Sequence, residues 1–335
     1  MGGNALKHAT IRLEKKYYEH VAQGTSDLLK QTFPKAKVAV IPSYGEKESF
    51  GDLDILISGV HIDKLLEFAE KPLQTPEWHK NGGVLSFGLD LTALLKKHAI
   101  FQVDFITVPE EDFDFALNYF AYNDLGNLIG QTAHGIGLKF GHDGLWYKYI
   151  VETQLVKEIC ITKDFTAALD ILGYSLSDYR RGFRSLEDIF HYAASSEHFT
   201  TWNYQLENRN AVGRVRDKKR KTYMAFLEWM KDKELPFERK PRDYGLKLAA
   251  HKIGDVAREF MYATLDYFQT ERVKKKFNGQ FVRTWTGLEG KELGGFMNNY
   301  RGEYHDLFVK KIESLTLEQV EADVKAEFEK WKKKP

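Results

Sequence analysis

Cysteine is nearly absent from this sequence. Its 335 residues contain a single cysteine, Cys160. An intramolecular disulfide is therefore impossible, and a cysteine-rich zinc site is excluded. Disulfides are rare in reducing compartments, so this composition fits an intracellular protein. We expect a cytoplasmic location.

Long hydrophobic runs are also missing. No apolar stretch approaches the roughly 18 to 20 residues that are needed to span a bilayer. The N-terminus lacks the apolar core of a secretory signal. Met1-Gly2 is compatible with a myristoylation signal, but Leu6 stands where that motif requires serine or threonine. The sequence therefore predicts no membrane partner.

The net charge is small as well. Lysine and arginine number 49, aspartate and glutamate number 48, and the formal net charge is +1. This balance excludes a protein that coats nucleic acid over its whole surface. A local exception lies between Arg209 and Lys221, where seven basic residues accompany one acid, Asp217. The candidate nucleic-acid-binding residues in this basic run are Arg214, Arg216, Lys218, Lys219, Arg220 and Lys221. A solvated helix face is an equally good interpretation.

Apolar periodicity divides the chain into two halves. Strand signals dominate from Val38 to Val108, and helical spacing prevails beyond Val151 almost to the end. The predicted class is α+β, with a small mixed sheet followed by a largely α-helical C-terminal half. The predicted segments are N-terminal helices in residues 1–35, the sheet in 36–110, a helix and hairpin in 111–150, and a helical region of one or two subdomains in 151–335.

Within residues 111–150 the pattern is more specific. The segment Asp112 to Gly130 has helical spacing. Two strand-like runs then flank Gly141-His-Asp-Gly144, which predicts a β-hairpin with a four-residue turn.

Two aspartates, Asp52 and Asp54, open an apolar run that is typical of a buried strand. Strand side chains repeat every two residues, so both carboxylates should point to the same side of the sheet. Two anions held this close repel each other, and a divalent cation would relieve the repulsion. A further candidate strand, Ile100 to Val108, places Asp104 within another apolar run. Three carboxylate ligands suit Mg²⁺, or Mn²⁺ in its place, and indicate phosphoryl or nucleotidyl transfer.

The residues around these aspartates resemble the DNA polymerase β-like nucleotidyltransferase superfamily. Its pattern is a glycine-containing turn at a strand end, a loop, a hydrophobic-flanked Asp-x-Asp, and a later single aspartate on another strand. Ser43 and Gly51-Asp52-Leu53-Asp54 match this pattern, and Asp104 stands in the place of the third metal ligand. The resemblance implies that residues 36–110 form a nucleotidyltransferase palm with Mg²⁺ as cofactor and Ser43 at a phosphate.

The likeness is closest to the family-X polymerases in the segment Ala116 to Asn127. Those enzymes carry a Tyr-Phe pair, a small-residue turn, and an Asp-x-x-Asn helix start that contacts the incoming nucleotide. The matching residues are Tyr119, Phe120, Asp124 and Asn127. By resemblance, the two aromatic residues face the sugar and the two polar residues lie near the base. Residues 111–150 would then be the nucleotide-binding helix and hairpin.

Four residues depart from the family pattern. Pro42 replaces the glycine of the strand-end turn, and Tyr122 replaces the glycine of the later turn. Gln102 replaces a basic residue, and Gln131 stands where a template-facing arginine is common. The departures at Tyr122, Gln102 and Gln131, together with the lack of a helix-hairpin-helix glycine pattern in the first residues, weaken the case for template-directed DNA synthesis.

The sequence thus predicts an Mg²⁺-dependent nucleotidyltransferase. It would move a nucleoside monophosphate from a nucleoside triphosphate such as ATP to a hydroxyl and release pyrophosphate. The expected acceptor is a nucleic-acid 3′ end, with RNA or tRNA ahead of DNA. Two alternatives stay open: nucleotidylation of a protein or small molecule, and an inactive nucleic-acid-binding module that has kept the palm. The oligomeric state is not determined by the sequence.

Overall fold

A computed structural model describes residues 5–241 and 243–333, so the parts of the predicted N-terminal and C-terminal segments at 1–4, 242, 334 and 335 lie outside the described residues. The chain divides into two compact units. The first unit combines the described part of Met1–Tyr149 with Glu158–Val256. The second combines Ile150–Lys157 with the described part of Ala257–Pro335. A mixed sheet and a helical C-terminal half confirm the predicted α+β class.

The strands lie in the first half of the chain. They are β1 (Leu13–Glu14), β2 (Lys37–Val40), β3 (Ser49–Phe50), β4 (Asp52–Ser58), β5 (Trp78–Asn81), β6 (Val84–Asp90), β7 (Ile100–Thr107), β8 (Leu138–Gly141), β9 (Gly144–Val151) and β10 (Gln154–Thr162). The main sheet has five strands in the order β2-β4-β7-β6-β5. Its central pair, β4 and β7, is parallel, and the other neighbours are antiparallel.

The helices surround the sheet in the first unit and make up most of the second. They are α1 (Lys15–Thr32), α2 (Ile62–Glu70), α3 (Thr92–Leu95), α4 (Phe113–Phe120), α5 (Leu125–Gly135), α6 (Phe165–Ile171), α7 (Leu176–Arg181), α8 (Leu186–Ala194), α9 (Ala211–Lys218), α10 (Lys221–Met230), α11 (Tyr244–Lys252), α12 (Gly254–Lys274), α13 (Gly279–Thr286), α14 (Gly290–Tyr304), α15 (Phe308–Ser314) and α16 (Leu317–Trp331). None of those in the described residues combines the length and apolar character required to cross a membrane.

Alternation along β4 decides which way its aspartates point. Leu53 and Ile55 are fully buried in a core that also contains Leu29 of α1 and Leu65 of α2. Leu56, with the opposite parity, packs in a separate cluster with residues of α4. Because strand side chains alternate between faces, Asp52 and Asp54 share the α4 side of the sheet with Leu56. Burial of each large apolar side chain contributes about 1.5 to 3 kcal/mol, which fixes this register strongly.

Three local predictions need correction. In the described part of residues 1–35, where helices are predicted, there is one α-helix, and it begins at Lys15. The single predicted helix from Asp112 to Gly130 is two helices, α4 and α5, separated by residues 121–124. The expectation of helix immediately beyond Val151 is wrong, because Gln154–Thr162 is a strand that neighbours β9.

The predicted hairpin is present. Strands β8 and β9 pair antiparallel, with Leu138 opposite Tyr147. Gly141 pairs with Gly144, so His142 and Asp143 alone form the connection. This short turn places His142 beside the end of α4, as described below.

Candidate functional site

The parallel pairing of β4 and β7 brings the three aspartates together. Asp54 lies directly opposite Asp104, and Asp52 lies opposite Gln102. Residues paired across neighbouring strands project on the same face of a sheet, as do residues two apart on one strand. One carboxylate oxygen from each aspartate lies within 4.8 Å of the others. All three side chains are half-buried.

The electrostatics of this cluster are unfavourable without a cation. Burial raises the pKa of Asp54 well above its usual range, and the negative charges of Asp52 and Asp104 raise it further. Burial also raises the pKa of Asp104 to about 6, although hydrogen bonds from Ser86 and Gln102 act in the opposite direction. A carboxylate with a raised pKa is one whose charged form is poorly compensated. The cluster would therefore be stabilised by a bound cation.

The donor set fits a hard divalent metal. Carboxylate oxygens are the ligands that Mg²⁺ and Mn²⁺ prefer, and one or two carboxylates plus substrate phosphates commonly complete an Mg²⁺ site. Among residues 5–241 and 243–333, the triad Asp52, Asp54 and Asp104 is the one group of three or more His, Cys, Asp or Glu side chains close enough to share an ion. These residues could hold Mg²⁺ or Mn²⁺.

Lys47 is a neighbour of the triad that sequence reasoning missed. Burial lowers the pKa of Lys47, whereas the nearby charges of Asp52 and Asp54 raise it. The Lys47 ammonium lies 4.5 Å from the centre of the Phe50 ring and 3.5 Å from Oδ1 of Asn123. Its position in the loop that precedes the Asp-x-Asp motif was the available signal. Lys47 supplies positive charge beside the acidic cluster.

Tyr18 is close enough to the triad to interact with it electrostatically. Its ring stacks on Phe50 with a centroid separation of 3.7 Å and an interplanar angle of 9°. Burial raises the pKa of Tyr18, and the charges of Asp54 and Asp52 raise it further. The phenol is therefore neutral near the acidic cluster, where it remains able to donate a hydrogen bond.

Ser43 lies three residues beyond the end of β2 and is half-buried. The carbonyl of its neighbour Pro42 accepts a hydrogen bond of 2.8 Å from the amide of Tyr122. This bond ties the strand end to the turn between α4 and α5. The loop that follows Ser43 is bound to the segment after α7. The amide of Gly45 donates to the carbonyl of residue 183 at 2.9 Å, and the amide of Glu46 donates to the carbonyl of residue 184 at 2.7 Å.

The turn between α4 and α5 has an uncommon backbone. Tyr122 and Asn123 have φ angles of 59° and 62°, the left-handed region that glycine adopts most readily. Asparagine tolerates this conformation better than tyrosine does. The Tyr122 ring packs edge-on against Phe183 at 4.8 Å and against Tyr179 at 5.7 Å. These contacts hold a tyrosine where the family pattern has glycine.

The predicted sugar-facing aromatics lie at the end of α4. Phe120 stacks on His142 of the hairpin with a centroid separation of 5.6 Å and an interplanar angle of 19°. Tyr119 is half-buried and lies 5.4 Å from the Phe140 ring. Burial raises the pKa of Tyr119, but the charges of Arg220 and Arg216 lower it. The basic run therefore comes close to the predicted nucleotide-binding segment.

Asp124 and Asn127 each contact another residue of the protein, but the buried Nδ2 of Asn127 has no hydrogen-bond partner among the described residues. The Asp124 carboxylate forms an ion pair with Arg220, and their side chains are 22% and 34% exposed. The side-chain amide of Gln131 donates to the Asn127 carbonyl at 3.3 Å. Gln131 itself is only 4% exposed, so it contributes to the packing of α5. The Gln131 side chain, at the position where a template-facing arginine is common, is therefore not presented to solvent.

The basic run separates into two groups. Its arginines have partners within the protein: Arg216 donates to Asp217, Arg214 donates to the carbonyls of residues 206 and 209, and Arg220 pairs with Asp124. Asp217 is fully buried and also binds Arg209. The lysines at positions 218, 219 and 221 are exposed. The arginines thus organise the local fold, and the lysines remain available for an anionic ligand.

Comparison with known proteins gave no match, either to a protein-family model or to a curated protein.

Proposed function

We propose that this protein is an Mg²⁺-dependent nucleotidyltransferase. It transfers a nucleoside monophosphate from a nucleoside triphosphate to the hydroxyl of a nucleic-acid 3′ end and releases pyrophosphate. The observation that carries the proposal is the pairing of Asp54 with Asp104 across two parallel strands, with Asp52 on the same face.

Each aspartate has a defined part in this proposal. Asp52, Asp54 and Asp104 hold the metal through their carboxylate oxygens. Mg²⁺ held there would supply Lewis-acid chemistry, lowering the pKa of an attacking hydroxyl and stabilising charge on the leaving pyrophosphate. The half-buried position of the three side chains favours tight ion binding, because a low local dielectric strengthens attraction between the carboxylates and a cation.

Lys47 and Ser43 form the proposed triphosphate contacts. Lys47 provides a positive charge next to Asp52 and Asp54. Ser43 provides a hydroxyl and an amide just beyond the end of β2, and both can donate to a phosphate oxygen. The bond between Pro42 and Tyr122 then couples this contact to the α4–α5 turn.

The basic run supports a nucleic-acid acceptor. Arg216 and Arg220 are close enough to Tyr119 to affect its pKa, and the lysines beside them are exposed. Exposed cations close to the predicted nucleotide-binding segment would attract a phosphate backbone without reading its sequence. The acceptor strand would therefore approach the triad along α9 and the start of α10.

The test is nucleotide incorporation with a panel of acceptors. The purified protein is incubated with Mg²⁺ or Mn²⁺, each α-labelled nucleoside triphosphate, and RNA, tRNA, DNA or a protein extract. We expect labelled nucleic acid and an equal amount of pyrophosphate. Asp54→Asn should abolish the product, whereas Asp63→Asn, which changes an exposed aspartate of α2, should not. Labelled protein in place of labelled nucleic acid would show that the acceptor is a protein. If no labelled product forms while the protein still binds nucleic acid, the proposed enzymatic activity is refuted.

A further inference from the structure

The segment Ala5 to His8, which we name the N-terminal strap, is held in place within the first unit by Glu77. The amides of Lys7 and His8 donate to the two carboxylate oxygens of Glu77 at 2.8 and 2.9 Å. Nδ1 of His8 lies 2.6 Å from one of these oxygens. One side chain thus anchors two consecutive backbone amides and an imidazole, which is a specific arrangement for a segment without regular structure.

The other end of the strap contacts Gln102. The amide of Ala5 donates to Oε1 of Gln102 at 3.0 Å. Nε2 of Gln102 in turn lies 3.0 Å from each carboxylate oxygen of Asp104. Gln102 is 2% exposed, so water does not compete freely for either end of its amide.

These two contacts determine the orientation of the Gln102 amide. A backbone N–H can only donate, so Oε1 must face Ala5. The NH₂ group is then directed at Asp104. The reversed amide would place an N–H against the amide of Ala5 and a carbonyl oxygen against the Asp104 carboxylate, and both contacts would be repulsive. The strap therefore selects the rotamer that supports Asp104.

The sheet connects the two ends of the strap. The amide of Gly88 donates to the carbonyl of Glu77 at 2.9 Å, and Gly88 lies directly opposite Gln102 in the register of β6 and β7. A Cβ atom at Gly88 would lie 2.8 Å from Cγ2 of Ile100 and 3.6 Å from Cδ1 of Leu6. A side chain at Gly88 would therefore crowd Ile100, whereas Leu6 of the strap lies at an ordinary contact distance from that position.

We propose that Gln102 is a positioning residue for Asp104, and that the N-terminal strap, anchored by Glu77, holds Gln102 in the orientation that aims Asp104 at the metal. This inference rests on the proposed function, because it takes Asp104 as a metal ligand. Partners that orient a metal ligand commonly change metal affinity 10- to 100-fold when they are removed. Metal affinity should thus depend on Glu77, a residue that does not belong to the triad.

The test is titration of the full chain with Mn²⁺ alone, followed by calorimetry or by the electron paramagnetic resonance signal of free Mn²⁺. The variants are Gln102→Leu, Glu77→Ala and the double variant. Glu67→Ala, which removes an exposed glutamate of α2, is the matched control, and Asp54→Asn identifies binding at the triad. Thermal unfolding establishes that each variant is folded. If Gln102→Leu does not fold, Gln102→Asn takes its place.

We expect Gln102→Leu and Glu77→Ala each to weaken Mn²⁺ binding about 10-fold or more. The double variant should bind no more weakly than Gln102→Leu, because Glu77 acts through Gln102 and the two effects should not add. If Glu77→Ala binds Mn²⁺ with wild-type affinity, or if the losses of affinity are fully additive in the double variant, the proposed role of the strap is overturned. Two other results would instead refute the metal site on which the proposed function depends. One is a wild type that binds no Mn²⁺ in the titration, and the other is an Asp54→Asn variant that binds Mn²⁺ with the same affinity as the wild type.

Discussion

The Arg220 guanidinium donates a hydrogen bond to the Asp124 carboxylate, although 96 positions separate the two residues in the chain. The bond joins the start of α10 to the start of α5. The predicted nucleotide-binding segment and the basic run are far apart in the sequence, and this ion pair brings them into contact. A ligand bound at Asp124 would therefore lie close to Arg220.

This ion pair gives a prediction for nucleotide binding. Arg220→Ala should lower nucleoside triphosphate affinity, because Asp124 loses the partner that orients it. The stability loss without ligand should be only about 0.5 to 1 kcal/mol, since both side chains are partly exposed. Urea unfolding with and without nucleotide separates the two effects. The neighbouring Lys219→Ala is the control, and equal behaviour of the two variants would contradict a role for the pair.

The acidic triad predicts a pH dependence of stability in the absence of metal. The pKa of Asp104 is raised from 3.8 to about 6 in the folded protein, and that of Asp54 is raised as well. The folded state therefore binds more protons than the unfolded state over this interval. Stability should fall as the pH rises from about 4 through 6, by up to about 3 kcal/mol for Asp104 alone.

The measurement is the free energy of unfolding in urea between pH 4 and 7.5, in EDTA, for the wild type and for Asp104→Asn. Carboxylates elsewhere have lowered pKa values and act with the opposite sign, as Glu77 does. The difference between the two proteins cancels these other groups and leaves the effect of Asp104, including its repulsion of Asp54. We expect the variant to gain stability relative to the wild type as the pH rises. A constant difference across this range would contradict the raised pKa.

The backbone of Tyr122 makes a prediction about three substitutions. With φ at 59°, alanine at this position is strained and glycine is not. Tyr122→Gly should therefore be more stable than Tyr122→Ala by about 1 kcal/mol, the reverse of the order in a helix. Both should be less stable than Tyr122→Phe, which keeps the ring against Phe183. Urea unfolding of the three variants tests this order, and equal or greater stability for alanine over glycine would refute the left-handed conformation.

The exposed lysines of the basic run predict a salt dependence. Replacing Lys218, Lys219 and Lys221 by alanine should weaken binding of single-stranded RNA. The slope of log affinity against log salt should become shallower by about 0.7 for each RNA phosphate that the variant no longer neutralises. The matched control replaces three exposed lysines of the second unit, Lys274, Lys275 and Lys310. An unchanged slope in the first variant would show that the run is only a solvated helix face.

Much of the triad's geometry is predictable from the sequence. Period-two spacing places Asp52 and Asp54 on one face, and the apolar runs around them identify two strands. The direction of β7 relative to β4 is not predictable in this way, because it depends on the long connection through β5, β6 and two helices. That direction sets Asp54 opposite Asp104.

Other features escape the sequence for physical reasons. A left-handed tyrosine has no local signature, so the break at Tyr122 between α4 and α5 is invisible in the helical pattern. Strand β10 did carry a signal, since Ile159 and Ile161 are buried with a spacing of two. The contacts of Gln102 with Ala5 and Asp104 are long-range consequences of packing and required the structure.

The most direct test of the triad's role is a crystal structure with Mn²⁺ and a non-hydrolysable nucleoside triphosphate, recorded at a wavelength where manganese scatters anomalously. We expect an anomalous peak at bonding distance from Asp52, Asp54 and Asp104, with the triphosphate sharing that ion and reaching Ser43 and Lys47. A triphosphate bound elsewhere, or a triad without a manganese peak while the nucleotide is ordered, would contradict the proposed metal site.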